Sequence, residues 1–371
     1  MRSRRLKYPL VVMAMALAAS TLSSASASAD ADSGSSPPRP WVKLCLKLKR
    51  MPEHRRIRCH FPPPPRRVSP ARLAAQAQRA TIDEISIPTN PATPVGITSG
   101  PDNALWFTEN TANKIGRVTT GGLFTEYSIP TSDSQPGHIA VGSDGALWFT
   151  EAVGNKIGRI TTSGTITEYS LPTSDAYPWG ITSGPDDALW FVEQLGNKIG
   201  RITTGGTITE YSLPTSDAYP MRITAGPDDN LWFTESLAGQ IGQITTDGTI
   251  TEFSIPSSGA IPVGITSGPD GNLWYTDANA KVSSVSTSGD FTEYDLEDVN
   301  SFPWGITTGP DDNLWFAEQI ADKVGSITTS GTISEYSLPT SFSGAFDITE
   351  GSDDNLWLTE DYVDQIAVIT P

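Results

Sequence analysis

The sequence predicts an all-β protein, a seven-bladed β-propeller of four-stranded antiparallel blades whose ring is closed by an N-terminal strand. The motif LWFTE and its close variants occur seven times, and their tryptophans are 42, 42, 42, 42, 41 and 42 residues apart. Each period reads as four short strands joined by tight turns, with no helical periodicity. The last period lacks its fourth strand, and a matching segment precedes the first period. A repeat of this length built from four strands is typical of a propeller blade.

The first period shows the four strands in order. It runs PVGITSG at 94–100, a PDN turn, ALWFTE at 104–109, KIGRVTT at 114–120, a Gly-Gly turn and LFTEYSI at 123–129. β-branched and aromatic residues favour strands, and the PDN and Gly-Gly segments are turn signals. We expect the tryptophans of the motif to fill the space between neighbouring blades.

The chain ends predict how the ring closes. The last period stops after DQIAVITP, whereas TIDEISIP at 81–88 matches the fourth-strand pattern. Glu84 precedes Trp106 by 22 residues, as Glu126 precedes Trp148. The N-terminal strand should therefore complete the seventh blade and remove an exposed sheet edge.

Charge is divided unevenly along the chain. Of 25 Lys and Arg residues, 16 precede residue 81, which leaves residues 81–371 with nine basic and 39 acidic side chains, a formal charge of −30. Such a body repels nucleic acid and anionic surfaces and suits neutral or cationic ligands. We expect a small molecule or a glycan as partner, no nucleic acid, and a monomer.

The N-terminal part predicts export. Residues 1–29 read as a signal peptide, with a basic start, an apolar run at 10–19 that is too short to span a bilayer, and A-S-A before Asp30. We therefore expect a secreted or extracytoplasmic protein. No other segment is apolar and long enough to be an integral membrane span.

Residues 30–80 form a basic, Pro-rich linker before the propeller domain at 81–371. The linker holds Cys45 and Cys59, both of the cysteines in the chain. In an exported protein an even pair favours a disulfide. A zinc site with His54 and His60 is the alternative, although the spacing fits no standard pattern.

An acid ends the second strand of every blade. These acids are Glu109, Glu151, Glu193, Glu235, Asp277, Glu318 and Glu360. They share a face of the ring with the loops that join one blade to the next, and we call it the loop face. Because loops on a rigid scaffold carry function, the sequence places a site at the channel mouth on this face. A structural interpretation pairs the acid with the lysine that opens the third strand, as in Glu109 with Lys114, although blades 4 and 7 have Gln240 and Gln365 at the lysine position.

Aromatic side chains flank the proline that opens the first strand in only some blades. We interpret them as a ligand platform, with Glu193 and Glu318 beside it as hydrogen-bond acceptors. The aromatic residues are Tyr177, Trp179, Tyr219, Phe302, Trp304 and Phe346. The alternative is that they plug the mouth and pack on one another.

His138 and Arg222 stand two residues after that proline, where four other blades have glycine and the seventh has Asp347. Departure from a repeated small residue makes Arg222 a candidate ligand residue. His138 is the only histidine after residue 80, and it is therefore the only side chain there whose unperturbed pKa lies near neutrality.

The repeats resemble the virginiamycin B (streptogramin) lyase family. PVGITSGPDNALWFTENTANKIGRVTT and WGITSGPDDALWFVEQLGNKIGRITT carry most of its pattern, and the resemblance covers residues 81–371. It implies a metal-assisted carbon–oxygen lyase that opens a cyclic depsipeptide antibiotic, with magnesium as cofactor and histidines directly after the first-strand proline. In this chain those positions hold Val95, Gly137, Trp179, Met221, Val263, Trp304 and Phe346.

Two functions are therefore open. The first is an exported, non-catalytic propeller that binds a small or glycan-like ligand at its aromatic and acidic mouth. The second is a virginiamycin B lyase-like enzyme with a rearranged site, in which His138 and Glu151 are catalytic. The missing histidines favour binding, because a general base must lie within hydrogen-bond reach of its proton.

Overall fold

The structure, a computed structural model, describes residues 80–371. This part consists of 28 β-strands, and none of its residues is helical. The strands are β1 Thr81–Ser86, β2 Pro94–Ser99, β3 Ala104–Glu109, β4 Lys114–Thr119, β5 Phe124–Ser128, β6 Pro136–Val141, β7 Leu147–Glu151, β8 Lys156–Ile160, β9 Ile166–Ser170, β10 Pro178–Ser183, β11 Leu189–Glu193, β12 Lys198–Ile202, β13 Ile208–Ser212, β14 Pro220–Ala225, β15 Leu231–Glu235, β16 Gln240–Ile244, β17 Ile250–Ser254, β18 Pro262–Ser267, β19 Leu273–Asp277, β20 Lys281–Val285, β21 Phe291–Asp295, β22 Pro303–Thr308, β23 Leu314–Glu318, β24 Lys323–Ile327, β25 Ile333–Ser337, β26 Ala345–Glu350, β27 Leu356–Glu360 and β28 Gln365–Thr370.

The strands form seven antiparallel four-stranded sheets. Blades 1 to 6 take four consecutive strands each, from β2–β5 to β22–β25. The first strand of each blade contacts the first strand of the next, from β2 round to β26 and back to β2. These contacts close a seven-bladed ring, which confirms the predicted fold.

The closing strand lies where the sequence places it. Blade 7 has the order β1-β28-β27-β26, and β1 pairs antiparallel with β28 from Thr81 opposite Thr370 to Ser86 opposite Gln365. Glu84 accepts hydrogen bonds from the backbone N–H and hydroxyl of Thr340, at 2.8 and 2.5 Å. The same contact recurs between other blades, as from Thr89 to Glu126. The N-terminal strand therefore both completes a sheet and joins blades 6 and 7.

The motif tryptophans pack between blades, as the sequence predicts. All seven are at most 1% exposed, and Trp106 of blade 1 packs against Ile139, Leu147 and Phe149 of blade 2. Each indole N–H also donates to the aspartate four residues earlier, in the turn between the first two strands; Trp106 Nε1 to Asp102 Oδ1 is 2.9 Å. The tryptophan therefore fixes both the interface between blades and the tight turn.

The first strands line the central channel and contain an irregularity. In blade 2, Pro136 lies opposite Glu151 and Ile139 lies opposite Phe149, so one strand has an extra residue between these pairs. All seven blades repeat this bulge. A bulge changes the direction of the side chains next to it, so simple alternation does not hold at this point.

Two sets of expectations fall outside residues 80–371. The signal peptide at 1–29 and the linker with Cys45 and Cys59 stay predictions. No helix that could span a membrane is found in the part that the structure describes.

Candidate functional site

The acids that end the second strands are buried beneath the loop face. Each is at most 1% exposed, and the six glutamates have no hydrogen-bond partner for either carboxyl oxygen among the described residues. Burial, together with the nearby glutamate of the outer strand, raises the pKa of each of these six carboxyls to about 8. They are therefore mainly neutral acids at pH 7.

This burial corrects one prediction about the ligand platform. Glu193 and Glu318 were expected to meet a ligand as acceptors at the mouth. Both side chains are fully buried instead, because the loop between the second and third strands covers the end of the second strand. Gly196 shows how close this cover is, since a Cβ there would lie 2.4 Å from Glu193 Oε2. The mouth therefore has no carboxylates from this ring.

The predicted ion pair across the second hairpin is also wrong. Glu109 and Lys114 are opposite each other in the sheet, yet Lys114 Nζ lies 2.7 Å from Glu126 Oε2 on the fourth strand. Glu126 is already oriented by Thr89 of the preceding inter-blade loop, and Lys114 donates to that hydroxyl as well. Lys114 therefore pairs with Glu126, which is better solvated and ionised, whereas the buried Glu109 stays neutral. In blades 2, 3 and 6 the third-strand lysine forms the same ion pair with the fourth-strand glutamate.

The first-strand position facing the channel is glycine where strands approach closely. A Cβ at Gly96 would lie 2.7 Å from the Cα of His138, and one at Gly180 would lie 2.7 Å from the carbonyl of Met221. The three blades without this glycine place His138, Arg222 and Asp347 there, and we call these residues the channel trio. The ring brings them together although they come from blades 2, 4 and 7.

The channel trio is a connected polar cluster. Arg222 Nη1 lies 2.7 Å from His138 Nδ1, and Arg222 Nη2 lies 2.9 Å from Asp347 Oδ1. Asp347 Oδ2 lies 3.4 Å from His138 Nδ1 and accepts the backbone N–H of Ile97 at 3.2 Å. Asp347 was noted in the sequence but not predicted as a site residue. Its departure from the repeated glycine was the available signal.

The charges within the channel trio determine the state of His138. Burial and the adjacent Arg222 lower the pKa of His138 to about 4, so the ring is neutral at pH 7. Burial alone would raise the pKa of Asp347, but the adjacent Arg222 guanidinium holds it well below its usual value. Because a guanidinium only donates, His138 Nδ1 accepts the 2.7 Å bond and the proton resides on Nε2. In this state His138 has no free lone pair with which to act as a base.

The predicted catalytic pair is not joined. Residues 80–371 contain no hydrogen bond between His138 and Glu151. His138 contacts Arg222 and Asp347, whereas the neighbours that perturb Glu151 are Glu168 and Lys156. No single proton-transfer unit forms from the two residues in this geometry.

The aromatic residues form a continuous arc at the mouth, which we call the aromatic arc. It runs Tyr177, Trp179, His138, Phe346, Trp304 and Phe302, with ring centroids of successive members 6.1, 5.4, 6.4, 4.7 and 5.9 Å apart. Trp304 and Phe346 are 6% and 5% exposed, whereas Tyr177, Trp179 and Phe302 are half-buried. One part of the arc therefore closes the mouth, and its ends offer faces to a ligand.

Blade 4 contributes less to the mouth than the sequence suggested. Tyr219 is 8% exposed and Met221 is 3% exposed. Met221 Sδ lies 2.8 Å from Gln194 Nε2, an amide of the neighbouring blade. Both residues serve mainly as packing in the wall of the mouth.

The channel below the trio is nearly filled. A cavity of about 50 Å³ remains, enough for one or two waters. Its wall is formed by Ile181, Arg222, Ile223, Gly264, Ile265, Ile306 and Asp347. This cavity is therefore too small to hold a ligand larger than water within the channel.

The magnesium expectation finds no ligand set here. Within residues 80–371 no three His, Cys, Asp or Glu side chains converge so as to hold a metal ion. Magnesium therefore stays a prediction, and no chemistry is derived from it.

The fold and the mouth define a seven-bladed β-propeller with its candidate site on the loop face. The sequence model that describes the virginiamycin B lyase family matches residues 80–369 of this chain. Virginiamycin B lyase from Staphylococcus aureus is 40% identical with a TM-score of 0.76, over 79% of this chain and 100% of that chain. A streptogramin B lyase structure is 39% identical with a TM-score of 0.76, over 78% of this chain and 97% of that one.

A catalytically inactive histidine-to-alanine variant of the S. aureus enzyme, determined with quinupristin, is also 40% identical, with a TM-score of 0.76, over 79% of this chain and 100% of that chain. Kuenenia stuttgartiensis hydrazine synthase, at 18% identity and a TM-score of 0.66 over 77% of this chain, shares the fold alone. The chain belongs to the virginiamycin B lyase family.

Proposed function

We propose that this family member is an exported binding protein that holds a small molecule or a glycan at the aromatic arc and does not catalyse a reaction on it. The observation that carries the proposal is the 2.7 Å contact from Arg222 Nη1 to His138 Nδ1. It ties up the lone pair of the only histidine in residues 81–371, so the mouth has no imidazole ready to remove a proton.

The ends of the aromatic arc support binding. Tyr177 stacks on Trp179 at an interplanar angle of 11°, and both remain half-buried. Such a pair is rigid and apolar, so a flat ligand would lose little side-chain entropy on binding it. Phe302 offers a second half-buried face on the far side of the mouth.

Catalysis is the alternative function, and family membership favours it. A lyase that acts on a cyclic depsipeptide antibiotic would have to free His138 from Arg222 or use another base. Glu151, whose pKa burial raises to about 8, is the other candidate base named by the sequence. Turnover in solution distinguishes the two functions.

The binding proposal is tested by a calorimetric and thermal-shift screen of the full chain with sugars, small aromatic compounds and divalent cations. A compound that binds the native chain should bind Trp179→Ala about five- to a hundredfold more weakly, as expected for an interface anchor. Trp190→Ala in the same blade serves as the control, because its indole is buried between blades and not at the mouth. Unchanged affinity in Trp179→Ala would remove the arc from the site.

Export and a monomeric state belong to the same proposal. The formal charge of −30 on residues 81–371 stays strongly negative when the six buried glutamates are protonated, and it opposes self-association at low ionic strength. Expression with residues 1–29 should yield a product in the medium that begins near Asp30, and light scattering should give the mass of one chain. An intact N-terminus inside the cell would contradict export.

A further inference from the structure

We infer that the site at the mouth is a donor site, built to bind a neutral carbonyl oxygen of a ligand that also carries an aromatic or apolar group. The inference rests on the proposed binding function and names the ligand chemistry. It arises from the N–H groups of Trp179, His138 and Arg222, which lie in one cluster of contacting side chains.

Three N–H groups in this cluster are buried without an acceptor. Trp179 Nε1, His138 Nε2 and Arg222 Nε have no hydrogen-bond partner among the residues that the structure describes. His138 Nε2 is a donor because Nδ1 accepts from Arg222. Buried donors are nearly always satisfied in folded proteins, so three together indicate a site for an acceptor from outside the chain.

The donors of Trp179 and His138 belong to touching rings. The two rings meet edge to face with centroids 5.4 Å apart, and His138 is 2% exposed whereas Trp179 is half-buried. Trp304, the equivalent tryptophan of blade 6, donates Nε1 to Gln319 Oε1 at 2.8 Å. Trp179 therefore differs from Trp304 in having a free donor, although both occupy the same position in their blades.

Charge selects a neutral acceptor over an anion. Arg222 is already neutralised by Asp347 at 2.9 Å, and His138 is uncharged. The remaining propeller carries a formal charge of −30, which disfavours a carboxylate or phosphate at the mouth. The second-strand acids cannot serve hydroxyl donors of a ligand, since all seven are buried. An amide or ester carbonyl next to an aromatic group matches the donors and the stacked Tyr177–Trp179 pair.

The test uses three probes that share a phenyl ring. N-acetylphenylalaninamide is neutral and has carbonyl acceptors, N-acetylphenylalanine is an anion, and phenethylammonium has no acceptor but a charge that favours an acidic protein. Binding to the full chain is followed by the indole N–H resonances in nitrogen-15 NMR, with the Trp179 signal assigned by its loss in Trp179→Phe.

The neutral amide should bind several-fold more tightly than the other two probes and shift the Trp179 indole proton downfield. Trp179→Phe, which keeps an aromatic ring but removes the donor, should weaken this binding about two- to tenfold, the range for one hydrogen bond. Trp190→Phe is the matched control, because its N–H is already bonded to Asp186 at 2.9 Å between blades. It should leave the affinity unchanged while lowering the melting temperature.

Equal binding of the three probes, or equal affinity in Trp179→Phe and the native chain, would overturn the donor-site inference and leave the aromatic binding function standing. Absence of binding by all three probes at millimolar concentration would overturn the donor-site inference, and the binding function would fall only if the screen with sugars and aromatic compounds also found no ligand.

Discussion

Glu193→Gln should stabilise the propeller at alkaline pH and change little at acidic pH. Burial and Glu210 raise the pKa of Glu193 from 4.5 to about 8, and the side chain is fully buried. The folded state therefore keeps a proton that the unfolded state releases. The stability from this protonated carboxyl is present below pH about 4.5 and is lost as pH rises to about 8.

The size of the effect follows from the pKa difference. A pKa raised from 4.5 to about 8 corresponds to about 5 kcal/mol of unfolding free energy lost per glutamate above pH 8. Glutamine is isosteric with the protonated acid and does not ionise. The variant should equal the native chain at pH 4.5 and exceed it by a few kcal/mol at pH 9, in urea unfolding followed by tryptophan fluorescence.

Glu210→Gln is the matched control, because Lys198 and Thr173 hold Glu210 as a carboxylate with a lowered pKa. It should lose stability above pH about 4.5, the opposite direction. If Glu193→Gln lowered stability equally at pH 4.5 and pH 9, the neutral state of the buried acids would be refuted.

Three other perturbations address the ring, the core and the channel. A chain without residues 81–88 should melt well below one that begins at residue 80, because blade 7 loses its hydrogen-bonded outer strand; equal melting temperatures would refute closure. Trp190→Ala should cost roughly 3–5 kcal/mol through the cavity left between blades, and Trp179→Ala should cost far less; equal losses would make Trp179 a plug. Arg222→Met should cost roughly 3–5 kcal/mol of unfolding free energy, because it leaves Asp347 without its guanidinium partner. It should also raise the pKa of His138, as read by proton NMR; an unchanged pKa would contradict the control of His138 by Arg222.

The fold could be predicted from the sequence because each blade repeats the same local information. Seven tryptophans spaced 41 or 42 residues apart indicated the number of blades, and the offset of Glu84 from Trp106 indicated the closing strand. Those features depend only on order along the chain. The hydrogen bond from each indole to the turn aspartate was missed, although the spacing of four residues is constant in all blades.

The site was less predictable because it depends on the ring as a whole. His138 and Arg222 could be singled out as departures from glycine, but their contact joins blades 2 and 4 across the channel. The pairing of Glu109 with Lys114 was inferred from one hairpin, and the fourth strand supplied a stronger partner in Glu126. Burial of the second-strand acids depends on how closely the loop between the second and third strands folds over them, which the strand pattern does not reveal.

The central claim is that the mouth binds without catalysis, and the most direct measurement is turnover of a streptogramin B antibiotic. The full chain is incubated with the antibiotic and magnesium, and the ring-opened product is measured by mass spectrometry beside a streptogramin B lyase as positive control. The account predicts no opened product above the level without protein, because Arg222 occupies the acceptor nitrogen of His138 at 2.7 Å. Sustained turnover that His138→Ala abolishes would contradict it.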